Sequence, residues 1–156
     1  MKPYRPQSPP QPSSNTVTTS EREGNMTTLT LLAICLMLEA GGEPHTGKLA
    51  VASVIWNRAE GKAARVEAVL TKRRQFSCLN KGLAHAAASV DRMIMGQGGT
   101  EVWRDCLLIA GEIMDGTFQP TVEANHYFNP SKASPSWGEK LRGKVTIGNH
   151  TFGELP

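Results

Sequence analysis

The stretch LTLLAICLML, residues 29–38, runs directly into EAGGEP at residues 39–44. Its ten residues carry no charge, so they predict an apolar helix, and Gly41 and Gly42 predict where that helix ends. Glu39 then falls on the last turn, where the negative end of the helix dipole and the apolar neighbours both disfavour an ionised carboxylate. General acid catalysis needs a carboxylic acid that stays protonated near neutral pH. Glu39 is therefore the first candidate catalytic residue.

The sequence around this stretch predicts a mainly helical domain. Thr27 or Thr28, Thr46 and Thr100 are the expected helix caps. The second helix is apolar on more than one side, which indicates a buried and central position. The predicted helices cover about residues 28–40, 47–59, 66–71, 83–95 and 101–115.

The chain changes character after Gly116, where prolines and aromatic residues become frequent. Residues 145–152 alternate and carry Gly148-Asn149 at their centre, which is typical of a two-residue hairpin turn with glycine first. The expected fold class is therefore α+β and mainly α, with a small C-terminal β-hairpin on a helical body. Residues 1–25 are rich in proline and polar residues and are expected to be a disordered tail, which leaves 26–156 as one domain.

Composition excludes few functions. The 156 residues include 17 basic and 14 acidic side chains, and a net charge of +3 does not by itself indicate a nucleic-acid binder. A local basic region fits an anionic polymer or, equally, a solvated helix surface; it contains Arg58, Lys62, Arg65, Lys72, Arg73 and Arg74.

The three cysteines, Cys35, Cys78 and Cys106, are too few and too far apart for a disulfide framework. Cys35 and Cys106 lie on apolar stripes and are expected to be buried, which fits production in a reducing compartment. No secretory signal pattern is visible, and the run at 29–38 is too short to span a bilayer.

No cofactor is expected from the motifs. The four histidines show no ligand pair at short spacing, no Cys-x-x-Cys is present, and a metal site is not predicted. Gly96-Gln97-Gly98-Gly99 lacks the lysine and the preceding strand of a phosphate-binding loop. No nucleophile elbow is visible either.

The pattern EA-x-GEP-x-x-G-x-x-AVA-x-V-x-x-NR, which begins at Glu39 and ends at Arg58, resembles the SleB-type cell wall hydrolases. That family includes spore-cortex-lytic enzymes and related phage endolysins. Three later segments match in the family's order, and the resemblance covers about residues 30–153. These segments are Gln75-Phe76-Ser77, Asn125–Pro130 with Pro135-Ser136-Trp137, and Ile147–Phe152.

The resemblance implies a lysozyme-like, lytic-transglycosylase-like fold that acts on the glycan strands of peptidoglycan, with Glu39 as the catalytic residue. Gly41 replaces the commoner arginine of the motif, so any role of that side chain is absent. The chain looks like a compact endolysin of a phage or prophage. We expect a monomer made in the host cytoplasm, which reaches the cell wall after release by a separate pore-forming protein.

A second carboxylate is harder to identify. Most glycosidases use two carboxyl groups that flank the scissile bond. Glu43 is a candidate, but Gly41, Gly42 and Pro44 argue against a continued helix, so a structural role in bracing the loop and the start of the second helix is favoured. Asp115 and Glu123 have no motif behind them. Without a second carboxylate, Glu39 would protonate the leaving oxygen and then act as base while the substrate's 6-hydroxyl closes an anhydro ring.

The aromatic segment supplies candidate substrate-binding residues. Aromatic faces stack on pyranose rings, and amide, imidazole and hydroxyl groups bind sugar hydroxyls and acetamido groups. The candidates are Ser77, Asn125, His126, Tyr127 and Asn129. Phe128 and Trp137 are expected to pack in the core beneath the cleft. For His150, beside the turn, a structural and a functional role are equally supported.

Three functions compete at this stage. The leading hypothesis is a peptidoglycan lytic transglycosylase or muramidase. The second is a catalytically inactive peptidoglycan-binding or virion structural module of the same fold. The third is a basic helical nucleic-acid binder that uses residues 58–74, which the mixed charge elsewhere makes the weakest.

Overall fold

A computed structural model describes residues 26–72 and 75–156 of the chain. The described part contains five α-helices followed by a three-stranded sheet. The helices are α1 (Thr28–Ala40), α2 (His45–Arg58), α3 (Val66–Thr71), α4 (Leu83–Met95) and α5 (Gly99–Asp115). The strands are β1 (His126–Phe128), β2 (Arg142–Ile147) and β3 (His150–Glu154). Short 3₁₀ turns lie at Ala63–Arg65, Ser77–Leu79 and Gly138–Lys140.

Two sequence predictions lie outside the described residues. The expected disordered tail at 1–25 is one, and the part of the basic region formed by Arg73 and Arg74 is the other. Both stay predictions.

Helix α1 forms the centre of the core. Its first turn is capped as predicted, since the Thr27 hydroxyl accepts a hydrogen bond from the backbone N–H of Thr30 at 3.2 Å. Every residue from Leu31 to Met37 is buried, and so is Ala40. The helix packs against α2, α3, α4 and α5, which explains why its sequence is apolar on all sides.

The predicted caps of two other helices are wrong. Helix α2 begins at His45, with Pro44 rather than Thr46 as its cap, because the Pro44 carbonyl already accepts from the N–H groups of Gly47 and Lys48. Helix α5 begins at Gly99 and not after Thr100. Its cap is Gly98 in the left-handed conformation, whose carbonyl accepts from the N–H of Val102. In both helices the first turn is therefore capped by backbone geometry that a proline or a glycine sets, and not by a threonine side chain.

The sheet has strand order β1-β3-β2, with both pairs antiparallel. Ile147 pairs with His150 across the two-residue turn Gly148-Asn149, and Gly148 has a φ of 60°, so the predicted glycine-first hairpin is confirmed. Strand β1 was not predicted as a strand. It is three residues long, and it pairs Tyr127 with Phe152, a partner that no local pattern indicates.

The fold class is thus confirmed as mainly α with a small β element. The core consists chiefly of leucine, isoleucine, valine, alanine and methionine, as expected from composition, with Phe76, Phe118 and Phe152 also buried. Cys35 and Cys106 are fully buried, as predicted, and all three cysteines are free thiols. Across residues 26–72 and 75–156, no helix combines the length and apolar character needed to cross a membrane.

One polar anchor positions the segment that leads into the sheet. The Nδ2 group of Asn57, near the end of α2, donates to the carbonyls of Val122 and Ala124, both at 2.9 Å. Asn57 therefore ties the loop before β1 to the helical body.

Candidate active site

Glu39 lies on the last turn of α1 and faces an open cleft of about 1150 Å³. The cleft separates the helical body from the sheet. Its walls come from the end of α1 with the following loop, from segment 75–93, from β1 with the residues after it, and from the β2–β3 turn. Gly41 and Gly42 form part of the wall beside Glu39, as the small residues after it led us to expect.

Tyr127 makes the closest polar contact to the candidate acid. Its hydroxyl donates a hydrogen bond of 2.8 Å to Oε2 of Glu39. Burial, followed by the Glu39 charge and this hydrogen bond, raises the pKa of Tyr127 well above its usual value. The phenol therefore stays neutral and remains a donor over the physiological pH range. Sugar binding by Tyr127 stays a prediction, and the structure shows a different contact, in which its hydroxyl holds Glu39.

The Tyr127 ring is itself held by two neighbours on β3. The His150 ring lies edge-on at 5.3 Å between centroids, and the Phe152 ring lies tilted at 5.6 Å. Phe152 is fully buried, so it anchors this small aromatic stack to the core.

Cys78 is a cleft residue that sequence reasoning did not single out. It lies in the 3₁₀ turn Ser77–Leu79, directly after the matched segment Gln75-Phe76-Ser77. The neighbouring Cys35 thiol, burial and the nearby Glu39 carboxylate raise the pKa of Cys78. The thiol is thus neutral, and it adds no negative charge beside Glu39.

Glu43 also lines the cleft, but its carboxylate is held by the hairpin turn. Oε2 accepts from the backbone N–H of Asn149 at 3.1 Å, and Oε1 accepts from Nδ2 of the same residue at 3.2 Å. Nδ1 of His150 lies 3.2 Å from Oε1, although the two atoms are not aligned as a hydrogen bond. The carboxylate therefore braces the β2–β3 turn and not the start of α2, where its bracing role was predicted.

The other two candidate carboxylates do not line the cleft. Asp115 is exposed at the end of α5, where it accepts from the backbone N–H and hydroxyl of Thr117, which lower the pKa of this carboxyl. Glu123 borders a separate cavity of about 370 Å³ beside Arg142 and Val145. Within the described residues, the carboxylates that line the cleft are those of Glu39 and Glu43.

Three aromatic side chains form one wall of the cleft. The ring of Trp137 lies edge-on to His126 at 5.1 Å and to Phe128 at 5.7 Å. Phe128 and Trp137 were expected to pack in the core beneath the cleft, and this expectation is wrong. Both are only partly buried and line the cleft, because Phe128 lies on β1 at the cleft and Trp137 packs edge-on against it.

The predicted polar ligands are placed unequally. His126 lines the cleft, and burial followed by the Arg58 charge lowers its pKa, so the ring is neutral. Ser77 and Asn129 also line the cleft, and Asn129 Oδ1 accepts from the N–H and hydroxyl of Ser131. Asn125 does not line it: Nδ2 donates to the carbonyl of Leu155, and Oδ1 accepts from the Leu155 N–H. Its substrate-binding role stays a prediction that this geometry does not favour.

Arg58, first considered as part of a basic surface, belongs to the cleft. Its Nε donates to the carbonyl of Asn125 and its Nη1 to Oε1 of Gln75, each at 2.6 Å. The guanidinium also lies over the Phe76 ring, with Cζ 5.7 Å from the centroid. Arg58 therefore connects α2, the 75–79 segment and the entry to β1.

The described part of the chain contains no group of three or more His, Cys, Asp or Glu side chains placed to hold a metal ion. What the cleft does contain is a carboxyl group with a neutral phenol donor and a neutral thiol beside it, facing an aromatic wall. This arrangement is suited to acid–base chemistry on a ring-shaped, polar substrate.

The chain is similar in sequence to known cell wall hydrolases. The cell wall hydrolase family matches residues 42–153, a range that begins three residues after Glu39. The spore cortex-lytic enzyme of Bacillus subtilis (strain 168) is 32% identical over 124 residues, which cover 80% of this chain and 36% of that protein. This chain thus corresponds to about a third of that relative's length.

A solved structure shows the same fold. It is the catalytic domain of the germination-specific lytic transglycosylase SleB from Bacillus anthracis, with a TM-score of 0.55 and 26% identity. The match covers 84% of this chain and 98% of that domain. The resemblance first seen around Glu39 is therefore confirmed, and with most of its described residues inside the family match, this chain belongs to the cell wall hydrolase family.

Proposed function

We propose that this chain degrades peptidoglycan by cleaving the β-1,4 bond between N-acetylmuramic acid and N-acetylglucosamine, with Glu39 as general acid and base. The observation that carries the proposal is the hydrogen bond from the Tyr127 hydroxyl to Oε2 of Glu39 inside the cleft. Family membership supports the substrate class. The names of the relatives, a cortex-lytic enzyme and a lytic transglycosylase, support the reaction.

In the first step, Glu39 donates its proton to the glycosidic oxygen. The bond between that oxygen and C1 of N-acetylmuramic acid breaks, and N-acetylglucosamine leaves with a free 4-hydroxyl. Because Tyr127 donates to Oε2, that oxygen is the acceptor of the carboxyl group, and the transferable proton resides on Oε1. The neutral phenol and thiol also stabilise the carboxylate that the transfer leaves behind.

In the second step, the Glu39 carboxylate accepts the proton of the 6-hydroxyl while O6 bonds to C1. The product is a 1,6-anhydro sugar, no water is consumed, and Glu39 is protonated again. Two features support this one-carboxylate route over hydrolysis with a partner carboxylate. Asp115 and Glu123 lie outside the cleft, and both carboxylate oxygens of Glu43 already accept hydrogen bonds from Asn149.

We further propose the biological setting of a phage or prophage endolysin. In this setting a monomer is made in the host cytoplasm and acts on the wall after a separate pore-forming protein releases it. The support is the resemblance to phage endolysins and the three free thiols, which fit synthesis in a reducing compartment.

The test compares wild type with Glu39→Gln on purified peptidoglycan. The amide keeps the size of the side chain but carries no transferable proton. We therefore expect loss of turbidity clearing with unchanged circular dichroism and unfolding midpoint. Glu112→Gln, at an exposed position outside the cleft, is the matched control and should clear normally.

Mass spectrometry of the released fragments identifies the reaction. Anhydro ends, lighter by one water than reducing ends, support transglycosylation, whereas reducing ends indicate a muramidase. Clearing by Glu39→Gln at the wild-type rate contradicts the proposal. Binding of wild type to peptidoglycan without release of fragments points instead to an inactive binding module.

A further inference from the structure

We propose that Glu43 is a positioning residue for Glu39, which acts by fixing the β2–β3 turn and, through His150 and Tyr127, the orientation of the catalytic carboxyl group. The inference rests on the proposed function. It assigns Glu43 a part in the reaction without making it a second catalytic carboxylate.

The backbone of Glu43 is anchored to the helical body. Nζ of Lys48, a side chain that is almost fully buried, donates to the Glu43 carbonyl at 2.9 Å. The same ammonium lies 3.6 Å from Oδ2 of Asp105 on α5. A buried ammonium needs such partners, so the Lys48–Asp105 pair holds the loop after α1 in one place.

The side chain of Glu43 reaches from this anchored loop to the sheet. Its carboxylate accepts from both the backbone and the side chain of Asn149 and is almost fully buried. Contact with the turn is so close that a Cβ on Gly148 would overlap with Oε2. A carboxyl group that is almost fully buried and accepts two hydrogen bonds from one turn residue is a strong local constraint, so Glu43 fixes the position of the turn that precedes β3.

The constraint passes to Glu39 through two rings. His150 is the first residue of β3, and its Nδ1 lies 3.2 Å from Glu43 Oε1. Its ring meets the Tyr127 ring edge-on, with an interplanar angle of 82°. The Tyr127 hydroxyl then holds Glu39 on the last turn of α1, four residues before Glu43 in the following loop. These contacts form a closed ring that joins α1 to the sheet and returns to α1.

Such a ring matters because proton transfer depends steeply on geometry. A displacement of roughly 1 Å in a catalytic group lowers the rate by about 10²-fold. Release of the turn would let Tyr127 and Glu39 shift together while the glycan-binding walls of segment 75–93 stay in place. The effect should therefore appear in kcat rather than in KM.

The experiment measures kcat and KM on solubilised glycan strands for Glu43→Ala, Glu43→Gln, Asn149→Ala and the double variant Glu43→Ala/Asn149→Ala. Glu112→Gln is the control. We expect Glu43→Ala to lower kcat by about 10²-fold and Asn149→Ala by about tenfold, with KM within about twofold of wild type. Glu43→Gln, whose carbonyl still accepts from Asn149, should recover most of the loss, and the double variant should match Glu43→Ala.

A second readout does not depend on activity. Tyr4→Phe leaves Tyr127 as the only tyrosine, so tyrosinate absorbance reports its titration alone. In this background, Glu43→Ala should lower the pKa of Tyr127 towards its ordinary value, since a released turn exposes the ring. The same change is expected, to a smaller extent, for Asn149→Ala.

The outcomes separate the possibilities. Glu43→Gln as inactive as Glu43→Ala, with Asn149→Ala unaffected, would make Glu43 a catalytic carboxylate and overturn the proposal. A lower unfolding midpoint with unchanged kcat and unchanged Tyr127 titration would overturn it in favour of a purely structural role. If Glu43→Ala does not fold, Asn149→Ala and Glu43→Gln decide. A wild-type protein that releases no fragments refutes the proposed function, and the Tyr127 titration then still tests the contact ring.

Discussion

Tyr127 and Glu39 are 88 residues apart in the chain, and the Tyr127 hydroxyl donates a hydrogen bond of 2.8 Å to Oε2 of Glu39. This bond joins the first strand of the sheet to the last turn of α1 across the cleft. It gives an otherwise apolar helix end a polar partner for its carboxyl group. The reactivity of Glu39 therefore depends on how the sheet packs against the helices.

Removal of this donor should slow catalysis without unfolding the protein. Tyr127→Phe keeps the ring but loses the hydrogen bond, and hydrogen bonds to charged groups contribute about 1.5–3 kcal/mol. We expect kcat on solubilised glycan strands to fall by about 10- to 100-fold, since each 1.4 kcal/mol is about tenfold in rate.

The matched control is Tyr4→Phe, which changes the other tyrosine and should leave kcat unchanged. Tyr127→Phe combined with Glu39→Gln should be no less active than Glu39→Gln alone, because the two side chains act as one unit. A Tyr127→Phe protein with wild-type kcat would remove the phenol from the mechanism.

Alkaline pH should destabilise the fold through the same residue. The pKa of Tyr127 is raised in the folded protein by burial, the Glu39 charge and their hydrogen bond, whereas the unfolded chain titrates near the ordinary tyrosine value of about 10. The folded state therefore binds more protons above that pH, and the free energy of unfolding falls as pH rises. Urea unfolding at pH 8 to 11 should show this decline in wild type and a smaller one in Tyr127→Phe. An equal decline in both proteins would contradict the assignment.

The helices were predictable from the sequence because their information is local. The apolar run before Glu39 gives α1, and Gly96, Gly98 and Gly99 mark the end of α4. The errors concern the starts of α2 and α5, where Thr46 and Thr100 were predicted as caps but the caps are Pro44 and Gly98. Both helices begin where the backbone conformation of a proline or a left-handed glycine allows it. The preference of threonine side chains for cap positions does not indicate these starts.

The site was only partly predictable for a related reason. Glu39 stands out in the sequence because a carboxylate is unusual at the end of an apolar helix. Its contact with Tyr127 and the contact of Glu43 with Asn149 both join distant segments. The first depends on the pairing of β1 with β3, and a three-residue strand carries no periodic signal. The second depends on how the β2–β3 turn packs against the loop after α1, which the hairpin pattern by itself does not indicate. The same lack of signal made Phe128 look like a core residue.

Gly148 should be intolerant of any side chain, for two reasons that a control can separate. Its φ of 60° is strained for any residue other than glycine, and an added Cβ would overlap with Oε2 of Glu43. Gly143 has a nearly identical φ of 59° but open space around it. Gly143→Ala should therefore cost about 1 kcal/mol in free energy of unfolding, whereas Gly148→Ala should cost about 2–4 kcal/mol and also lower kcat. If urea unfolding shows the same loss of free energy of unfolding for both variants, a side chain at position 148 does not clash with Glu43.

Asn57 should be needed to seat β1, because its Nδ2 group donates to the carbonyls of both Val122 and Ala124. Asn57→Ala leaves two carbonyls without their donor and should cost about 1–3 kcal/mol in free energy of unfolding.

Asn57→Asp should cost more at neutral pH, since a carboxylate then faces two carbonyl oxygens. That penalty should shrink below about pH 4, where a protonated carboxyl can donate again. Gln119→Glu, an exposed amide-to-acid change nearby, is the control for added charge, and an Asn57→Asp penalty that does not vary with pH would contradict the assigned contacts.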